Sequence, residues 1–288
     1  MSNAALPAAS LPRRACRPLA AAAIFLARQA YAALFGILFL IALPLSAAVW
    51  DPSWPLHRYD ALFLFALGVQ ILMLALRLET PREALVIALF HVTGTAMEVF
   101  KTGAGSWAYP EAAIFRIEGV PLFTGFMYAS VGSWIARSIR IHEMRFAPCP
   151  PYWAALALGA AIYANFFAHH YLPDMRWPLF AATLLLFWRT RAWLRPASRW
   201  RSVRLPLAAL GGAFALWIAE NVGTLSGTWI YAGQARWQAV DFSKFGSWYL
   251  LLYVAFVTVA LVFRGALLCC DWRPGGAGLG RPPKEGRA

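Results

Sequence analysis

The sequence is poor in charge and poorest in acidic residues. Only 14% of its 288 residues are charged and only 13 are Asp or Glu, whereas 60% are hydrophobic. A soluble domain has about 25% charged and about 45–50% apolar residues. The chain therefore has too little polar surface to cover a water-soluble globule, and we expect an integral membrane protein.

Cysteine is scarce, and the motifs of common hydrolases and nucleotide-binding proteins are missing. The sequence has no Gly-rich phosphate loop and no Gly-x-Ser-x-Gly elbow, so phosphoryl transfer and serine or cysteine hydrolysis are not expected. Two of the cysteines are adjacent, which is not the Cys-x2-Cys spacing of a zinc or redox site. The four cysteines are Cys16, Cys149, Cys269 and Cys270.

Long apolar runs are the main feature of the sequence. Eight of them are long enough, or nearly so, for transmembrane helices, which need roughly 17–25 residues. Ala- and Leu-rich blocks without polar alternation favour helices over barrel strands. We therefore predict an all-α polytopic membrane protein of about eight transmembrane helices. The predicted spans lie at about 30–49, 60–77, 83–100, 119–137, 152–170, 177–194, 205–222 and 245–264.

Basic residues predict the orientation of this bundle. With the N-terminus inside, 20 of the 26 Lys and Arg fall on the inner side and six on the outer side. The positive-inside rule then predicts that both termini are cytoplasmic. These residues would face anionic lipid, and nucleic-acid binding is not expected. The predicted domains are a disordered cytoplasmic tail at 1–29, a transmembrane domain at 30–265 and a second disordered tail at 266–288.

One twelve-residue pattern occurs twice, at 98–109 and 220–231. EVFKTGAGSWAY and ENVGTLSGTWIY both fit Glu-x3-Thr-x2-Gly-(Ser/Thr)-Trp-x-Tyr, 122 residues apart. A weaker echo follows each copy at an offset of 121, as Gly125-Phe-Met-Tyr128 and Gly246-Ser-Trp-Tyr249. With four predicted helices in each part, the patterns indicate two diverged parallel halves. The halves cover about 30–140 and 150–265.

Glu98 and Glu220 are predicted at the outer ends of the third and seventh spans. A carboxylate in the last turn of a helix opposes the helix dipole, and ionisable groups near lipid are candidates for function. Lys101 can reach back to Glu98, but Gly223 takes the equivalent place after Glu220, which leaves Lys244 as a candidate partner. We predict that the two glutamates act as catalytic acid and base, because different neighbours separate their pKa values.

Polar and aromatic residues around the two glutamates are predicted to contact a substrate. Trp and Tyr also favour the membrane interface for structural reasons, so an aromatic belt is an equal alternative for them. The predicted substrate-binding residues are Lys101, Thr102, Trp107, Tyr109, Asn221, Thr224, Trp229, Tyr231 and Lys244.

Histidines at the outer end of the fifth span are the third group of candidates. His169 and His170 are predicted at the level of the glutamates, where imidazole can assist as acid or base. Together with Asp174 they are also candidate ligands of a divalent metal such as zinc, iron or manganese. Against a metal, the spacing matches no known ligand motif and adjacent histidines cannot both face one helix interior. The cofactor remains unknown at this point.

Four stretches together resemble one family. They are FKTGAGSWAYPE (100–111), GVPLFTGFMYASVGSWIAR (119–137), IYANFFAHHYLPDMRW (162–177) and AENVGTLSGTWIY (219–231). They are similar to the YoaT-like family of bacterial integral membrane proteins, known as domain of unknown function 817. The resemblance runs from about residue 30 to 265. It implies a multi-pass protein of the bacterial inner membrane, without an assigned activity or catalytic residues.

Three functions follow as hypotheses. The first is a membrane-embedded enzyme that acts on a lipid or isoprenoid at the outer ends of helices 3, 5 and 7, with Trp107 and Trp229 stacking on substrate or carbocation. Membrane-bound carotenoid cyclases and hydratases are similar in general style, which favours this hypothesis by architecture alone. The second is a transporter or channel for a small solute or cation. The third is a non-catalytic membrane scaffold.

Overall fold

The computed structural model describes residues 16–196, 199–235, 238–268 and 272–274, and within these ranges the chain is mostly helical. The helices are α1 (Cys16–Ala32), α2 (Leu34–Val49), α3 (Arg58–Ala75), α4 (Pro81–Gly103), α5 (Phe123–Ile141), α6 (Tyr152–Ala168), α7 (Arg176–Phe187), α8 (Leu205–Leu225) and α9 (Ser243–Val262). The strands are β1 (Trp107–Ala108), β2 (Arg116–Ile117), β3 (Val120–Pro121), β4 (Arg145–Ala147), β5 (Arg191–Leu194), β6 (Arg201–Arg204) and β7 (Ile230–Tyr231).

Local sequence signals explain where α4 begins. Thr80 is the N-cap, and its hydroxyl accepts a hydrogen bond from the Glu83 backbone N–H. The Glu83 carboxylate accepts the Thr80 N–H in return, at 2.7 Å. Pro81 occupies the first turn, where no N–H is needed. This capping box satisfies two backbone donors and starts the helix that carries Glu98.

α4 and α8 end in the same type of turn. Gly105 and Gly227 follow the two helices with φ of 71° and 68°, in the left-handed region that favours glycine. The amide after each glycine donates to the carbonyl five residues earlier, at 2.9 Å in the first copy and 3.0 Å in the second. This is a Schellman motif. It turns the chain so that the Trp-x-Tyr segment runs back beside the helix that precedes it.

α5 and α9 lie at the centre of the bundle and contact each other. α5 also packs against α1, α2, α3 and α4, and α9 packs against α4, α6, α7 and α8. Contacts within the two sets of four helices correspond, since α2, α3 and α4 each contact α5 as α6, α7 and α8 each contact α9. The starts of α5 and α9 are thereby held next to the ends of α4 and α8.

The helices differ in length and composition. Within the described ranges, α3, α4, α8 and α9 are long and apolar enough to cross a membrane, and α1 with α2, bent by 69°, would make a fifth span. α6 and α7 are apolar but have only 17 and 12 residues. Large apolar side chains lie on the surface, including Trp177 at 81% and Leu185 at 84% exposure, as a lipid-facing surface requires. A helical membrane protein is confirmed, and eight full spans stay a prediction.

Strands replace helix in one predicted span. The sixth span was expected over 177–194, but α7 ends at Phe187 and residues 191–194 form β5. β5 pairs with β4 on one side and β6 on the other, both antiparallel. The apolar Trp and Leu of this segment suit a strand as well as a helix, so composition alone did not separate the two. The expectation of a purely helical protein is therefore wrong at this point.

The tails also differ from expectation. Residues 16–29 of the predicted disordered N-terminal tail belong to α1, which packs against α5 and α2. The Gln29 side chain holds α1 against α5, since its amide oxygen accepts from the Trp134 indole at 2.9 Å and its amide nitrogen contacts His142 Nε2 at 3.2 Å. At the other end, Leu267 forms a parallel bridge with Phe146, and Trp272 contacts Trp193 at 6.2 Å between ring centres. The rest of both tails, 1–15, 269–271 and 275–288, lies outside the described residues.

Candidate functional site

The two copies of the repeated pattern meet directly. β1 and β7 form an antiparallel ladder in which Trp107 pairs with Tyr231 and Ala108 pairs with Ile230. The indole of Trp107 also meets the Tyr231 ring edge to face, with 5.7 Å between ring centres. The ladder holds the ends of α4 and α8 together, and both repeated glutamates face the space beside it.

Glu98 is surrounded by hydrogen-bond donors. Its Oε2 accepts from the Trp107 indole N–H and the Tyr109 hydroxyl, each at 2.7 Å. Its Oε1 accepts from the Tyr128 hydroxyl, also at 2.7 Å. The carboxylate is 2% exposed. Two donors come from its own repeat and the third from α5. We call this arrangement the Glu98 cage, made of Glu98, Trp107, Tyr109 and Tyr128.

Glu220 has an equivalent set of donors. Its Oε1 accepts from the Trp229 indole N–H at 3.1 Å and the Tyr231 hydroxyl at 2.6 Å. Its Oε2 accepts from the Trp248 indole N–H at 2.8 Å. The residue is 5% exposed. We call this the Glu220 cage, made of Glu220, Trp229, Tyr231 and Trp248. The repeated pattern therefore builds two carboxylates, each held by three side-chain donors.

Both glutamates lie deeper in their helices than expected. α4 continues to Gly103 and α8 to Leu225, so Glu98 and Glu220 are each five residues from the helix end and not in the last turn. The glycine turn lets each helix run further, and the opposition to the helix dipole weakens accordingly. The two carboxylates are close enough to interact electrostatically. The six donors stabilise the two carboxylates against burial and this repulsion.

Lys101 does not pair with Glu98. Its ammonium contacts His169 Nε2 at 3.2 Å and His170 Nε2 at 3.0 Å. His169 Nδ1 lies 2.8 Å from the Asn165 carbonyl, which can only accept. Nδ1 therefore carries the proton, and Nε2 accepts from the lysine. The expected ion pair is replaced because the Glu98 oxygens are already occupied by Trp and Tyr donors.

Two further cations face the same space. The Lys244 ammonium lies 4.4 Å from the centre of the Tyr231 ring and interacts electrostatically with Glu220. Lys244 was the sequence-derived candidate partner of Glu220, and it acts from the start of α9. Arg176, from the start of α7, is bound by Asp174 at 2.5 Å. Arg176 was not predicted.

A cavity of about 610 Å³ joins these groups. Both caged glutamates and all three cations line it, together with His169. Most of the other lining side chains are apolar and come from α1, α2, α5, α8 and α9. Its volume lies in the range of small-molecule sites, about 300–1,000 Å³. The predicted residues Trp107, Tyr109, Trp229 and Tyr231 line it as well.

Three other predicted site residues, Asn221, Thr224 and Thr102, lie outside the cavity. Asn221 donates to the Trp217 carbonyl and accepts the Val240 N–H, so it ties the chain before α9 to α8. The Thr224 hydroxyl donates to the Glu220 carbonyl within the helix. The Thr102 hydroxyl is buried without a hydrogen-bond partner among the described residues. None of the three lines the 610 Å³ cavity.

The candidate metal ligands are engaged elsewhere. Both imidazole Nε2 atoms of His169 and His170 face the Lys101 ammonium. Asp174 binds Arg176 and the Asn165 amide, the latter at 3.2 Å. Within the described ranges, no three His, Cys, Asp or Glu side chains come together as a ligand set. A cation already sits where a metal would need the lone pairs of the two histidines.

Ionisation outside the membrane-spanning helices follows from burial. Burial and then the Glu98 carboxylate raise the pKa of Tyr109 well above its ordinary value. Burial and then Glu220 do the same to the pKa of Tyr231. Both hydroxyls therefore stay protonated and remain donors. Burial, then Lys101 and His169, lower the pKa of His170, so this imidazole is neutral beside the lysine.

The third donor of each cage was missed by sequence reasoning. Tyr128 and Tyr249 align in the echo at an offset of 121, which suggested equivalent roles. The structure uses Trp248 instead of Tyr249, whose hydroxyl contacts Tyr253 at 3.2 Å. The echo indicated the right turn of each helix but not the right side chain, since one residue changes the helix face by about 100°.

Together, the apolar helices and the buried cavity define an integral membrane protein with a pair of caged carboxylates. The family model described as "Protein of unknown function (DUF817)" matches residues 22–256, and the chain belongs to this family. The chain is also 40% identical over 236 residues to "Uncharacterized protein YoaT" of Bacillus subtilis (strain 168), covering 81% of this chain and 88% of that one. The family resemblance inferred from the sequence is thus confirmed, and the matched range contains both cages.

Solved structures show a more distant likeness. The crystal structure of MvINS, a mycobacterial Insig homologue from Mycobacterium vanbaalenii, aligns with a TM-score of 0.45 and 11% identity, covering 65% of this chain and 97% of that one. A cross-linked trimer of MvINS aligns with a TM-score of 0.44 and 12% identity, with the same coverage.

Proposed function

We propose that this protein is a membrane-embedded enzyme that acts on a lipid or isoprenoid by acid–base chemistry. The observation that carries the proposal is the pair of buried carboxylates, Glu98 and Glu220, lining one largely apolar cavity. Burying a carboxylate costs free energy, so a buried carboxylate needs hydrogen-bond partners, and its presence indicates a function. Here each is held in one orientation by three donors, as an acid or base aimed at a substrate requires.

The two cages favour different protonation states. Among the described residues, Glu98 Oε1 has the Tyr128 hydroxyl as its only hydrogen-bond partner, and a hydroxyl can accept as well as donate. A proton on Oε1 therefore leaves every contact of the cage in place. In the part of the chain that the structure describes, the only hydrogen-bond partner of Glu220 Oε2 is the Trp248 indole, which cannot accept a hydrogen bond. We assign Glu98 as the acid and Glu220 as the base, and Lys244 supports the ionised form of Glu220.

The reaction class that suits this pair adds one proton and removes another. Glu98 gives its proton to one carbon of a substrate double bond, and the electron pair of that bond forms the new C–H bond. Glu220 takes a proton from a carbon beside the resulting cation, and the electrons of that C–H bond form a new double bond. No co-reactant is consumed, and exchange with water restores both carboxyls. The indole and phenol rings of the cavity wall stabilise the intermediate cation.

We further propose that the chain consists of two diverged halves related by an approximate twofold axis. Ala108 and Ile230 are 122 residues apart, the offset of the repeat, and they pair with each other in the β1–β7 ladder. An antiparallel ladder centred on equivalent residues is what a twofold axis requires. The matching helix contacts within the two four-helix sets support the same relation.

The placement in the membrane is part of the proposal. The cages would lie toward the outer face of the bacterial inner membrane, with eight spans and both termini in the cytoplasm. The support is the excess of Lys and Arg in the segments at the other end. The β4–β5–β6 sheet lies at that end, where α5 stops, and four of its residues are arginines: Arg145, Arg191, Arg201 and Arg204.

Comparative lipid analysis tests the enzyme. Wild type, Glu98→Gln and Glu220→Gln are expressed in a bacterial host, and membrane lipids are compared by mass spectrometry with those of cells without the protein. Glu118→Gln, on an exposed turn between β2 and β3, is the matched control. We expect wild type and the control to convert one lipid into an isomer of equal mass and changed retention. Both cage variants should fold and leave that lipid unconverted.

Three results would contradict this proposal. Conversion that persists in folded Glu98→Gln and Glu220→Gln would remove the carboxylates from the chemistry. Uptake of a solute into sealed vesicles, lost in the same variants without any lipid conversion, would establish the transporter alternative. Changed stability alone, with neither output, would favour a scaffold.

A further inference from the structure

We infer that the substrate is an amphiphile whose anionic group, of the phosphate-ester type, binds between Lys101, Arg176 and Lys244, with its apolar chain directed toward α1 and α2. This inference rests on the proposed function and names the substrate class of the same cavity.

Three cations converge on one part of the cavity. Lys101, Arg176 and Lys244 come from three different helices and all line it. Each is close enough to the other two for electrostatic repulsion. Gathering like charges in a partly desolvated space is unfavourable unless an anion joins them. The arrangement therefore favours a bound anion that contacts all three cations.

The acidic side chains nearby are shared unequally among the three cations. Asp174 forms an ion pair with Arg176, and both Glu220 and Asp241 are in electrostatic range of Lys244. Asp174 also attracts Lys101, but no carboxylate of the described residues forms an ion pair with this lysine. Lys101 is only 4% exposed, and its hydrogen bonds in the described part of the chain go to two imidazoles. Burial of an ammonium without a carboxylate is costly. Lys101 is thus the cation with most to gain from a bound anion.

The number of donors favours a phosphate ester. A phosphate ester has three terminal oxygens and a charge that Lys and Arg bind by strong charge-assisted hydrogen bonds. The three cations on separate helices match these three oxygens in number. A carboxylate has two oxygens and would leave one cation without a contact. The imidazole of His170, next to Lys101 at 3.0 Å, borders the same place.

The rest of the cavity suits an apolar chain. Beyond the cages its lining includes Leu26 and Ala30 of α1, Ile37 and Leu40 of α2, and Leu251 of α9. Trp134 of α5 also lines it, six residues after Tyr128, which is about 9 Å further along the helix. Lys101 is close to one turn past Glu98 in the opposite direction. The carboxylates therefore lie between the cationic group and the apolar end, where they can reach a double bond in the chain.

Binding of tail-matched probes tests the inference. The purified full-length protein in maltoside micelles is titrated calorimetrically with hexadecyl phosphate, with hexadecanol and with inorganic phosphate. The variants are Lys101→Met, Lys244→Met and the charge-conserving Lys101→Arg. Arg116→Gln is the control, because it removes one positive charge from an exposed site in β2 that does not line the cavity.

We expect wild type to bind hexadecyl phosphate about tenfold more tightly than hexadecanol. Lys101→Met and Lys244→Met should abolish that preference, whereas Lys101→Arg and Arg116→Gln should keep it. Equal affinity for phosphate and alcohol in wild type overturns the inference, and so does a preference that survives Lys101→Met. Inorganic phosphate that displaces hexadecyl phosphate at equal concentration would show a free-phosphate site and overturn the lipid assignment.

The same samples separate this inference from the enzyme proposal. If hexadecyl phosphate binds with the expected preference but no lipid is converted in cells, the substrate site stands and the enzyme proposal fails. If a lipid is converted through Glu98 and Glu220 but the probes show no charge preference, the enzyme stands and the anionic headgroup is wrong.

Discussion

The Glu98 and Glu220 cages share a frame but differ in their third donor. In both, the indole and phenol nine and eleven residues after the glutamate bind one carboxylate oxygen. The other oxygen faces the Tyr128 hydroxyl in one cage and the Trp248 indole in the other. A hydroxyl can reverse its hydrogen bond and an indole cannot. Two nearly identical frames can thus hold a carboxylic acid and a carboxylate.

The cages also differ at the position three residues after each glutamate. Lys101 brings a cation in the first copy, whereas Gly223 leaves space in the second. A Cβ at Gly223 would lie 1.8 Å from the Trp229 indole, so the ring occupies the place of a side chain. The cation of the second cage comes from Lys244 at the start of α9 instead. The two copies of the repeat therefore share the Trp and Tyr donors but differ in the residue that supplies the nearby positive charge.

Gly223→Ala should cause the largest loss of stability. It disrupts the Glu220 cage and leaves the Glu98 cage unchanged. The nearest three atoms to the new Cβ all belong to the Trp229 indole, at 1.8–2.4 Å. The ring has to move, and its hydrogen bond to Glu220 is lost. We expect a loss of about 3 kcal/mol in the free energy of unfolding. Thermal unfolding in detergent measures it.

Gly211→Ala in the same helix is the control. A Cβ there meets nothing within 4 Å, so we expect no loss and a gain of up to about 1 kcal/mol. Equal melting temperatures for Gly223→Ala and Gly211→Ala would mean that the Trp229 indole does not need the space.

Glutamine substitutions should separate the two cages by stability. In Glu98→Gln the amide NH2 can donate to the Tyr128 hydroxyl, so we expect a loss below about 1 kcal/mol. In Glu220→Gln the NH2 faces an indole N–H at either oxygen position, and two donors oppose each other. We expect a loss of about 2 kcal/mol. Thermal unfolding of both variants under the same conditions decides, and equal losses would contradict the assignment of acid and base.

Removing the third donors should lower turnover in both cages. Tyr128→Phe and Trp248→Phe each leave one carboxylate oxygen without its hydrogen bond. We expect about a tenfold lower rate of lipid conversion in each, equivalent to about 1.4 kcal/mol. Tyr249→Phe is the control, because the Tyr249 hydroxyl touches neither glutamate. A larger loss in Tyr249→Phe than in Trp248→Phe would restore the equivalence that the sequence echo suggested.

The smallest expected effect is a pH dependence of stability that comes from His170, next to Lys101. The pKa of His170 is lowered by burial, then by Lys101 and His169. Because the folded value is the lower one, this contribution to stability is present above about pH 6.5 and is lost as the pH falls below it. The unfolded chain binds that proton more readily. His170→Gln should therefore flatten the fall in melting temperature between about pH 7 and pH 5.

His57→Gln is the matched histidine control, since His57 precedes α3 and does not line the cavity. A pH profile that is the same in His170→Gln and wild type would show that Lys101 does not affect the imidazole.

Short-range features of the site follow from the sequence. The pattern places Trp and Tyr nine and eleven residues after Glu, with glycine seven residues after it. Gly105 and Gly227 adopt the left-handed φ that reverses the chain, which returns the aromatic pair to the glutamate of the same copy. Helix period and glycine geometry are local, so the repeat contains six of the eight cage residues, although its four aromatic residues had been predicted as substrate contacts. The membrane class followed equally from the lack of charge.

Contacts between segments far apart in the chain could not be predicted from the sequence. α1 was taken for a tail because arginines interrupt its apolar run, and β5 was taken for helix because its Trp and Leu suit both structures. The partners of Lys101 are histidines 68 and 69 residues away. Its spacing from Glu98 had indicated an ion pair.

The difference between the features that the sequence predicted and those that it did not has a physical cause. A turn or a helix face depends on the φ angles and periodicity of about a dozen residues, which the sequence of Glu98–Tyr109 or Glu220–Tyr231 specifies. The rotation and depth at which α5 and α9 pack depend on all their apolar contacts with the surrounding helices, and one residue of register changes the face by about 100°. That packing selected Tyr128 for one carboxylate and Trp248 for the other. It also brought Lys101, Arg176 and Lys244 to one cavity.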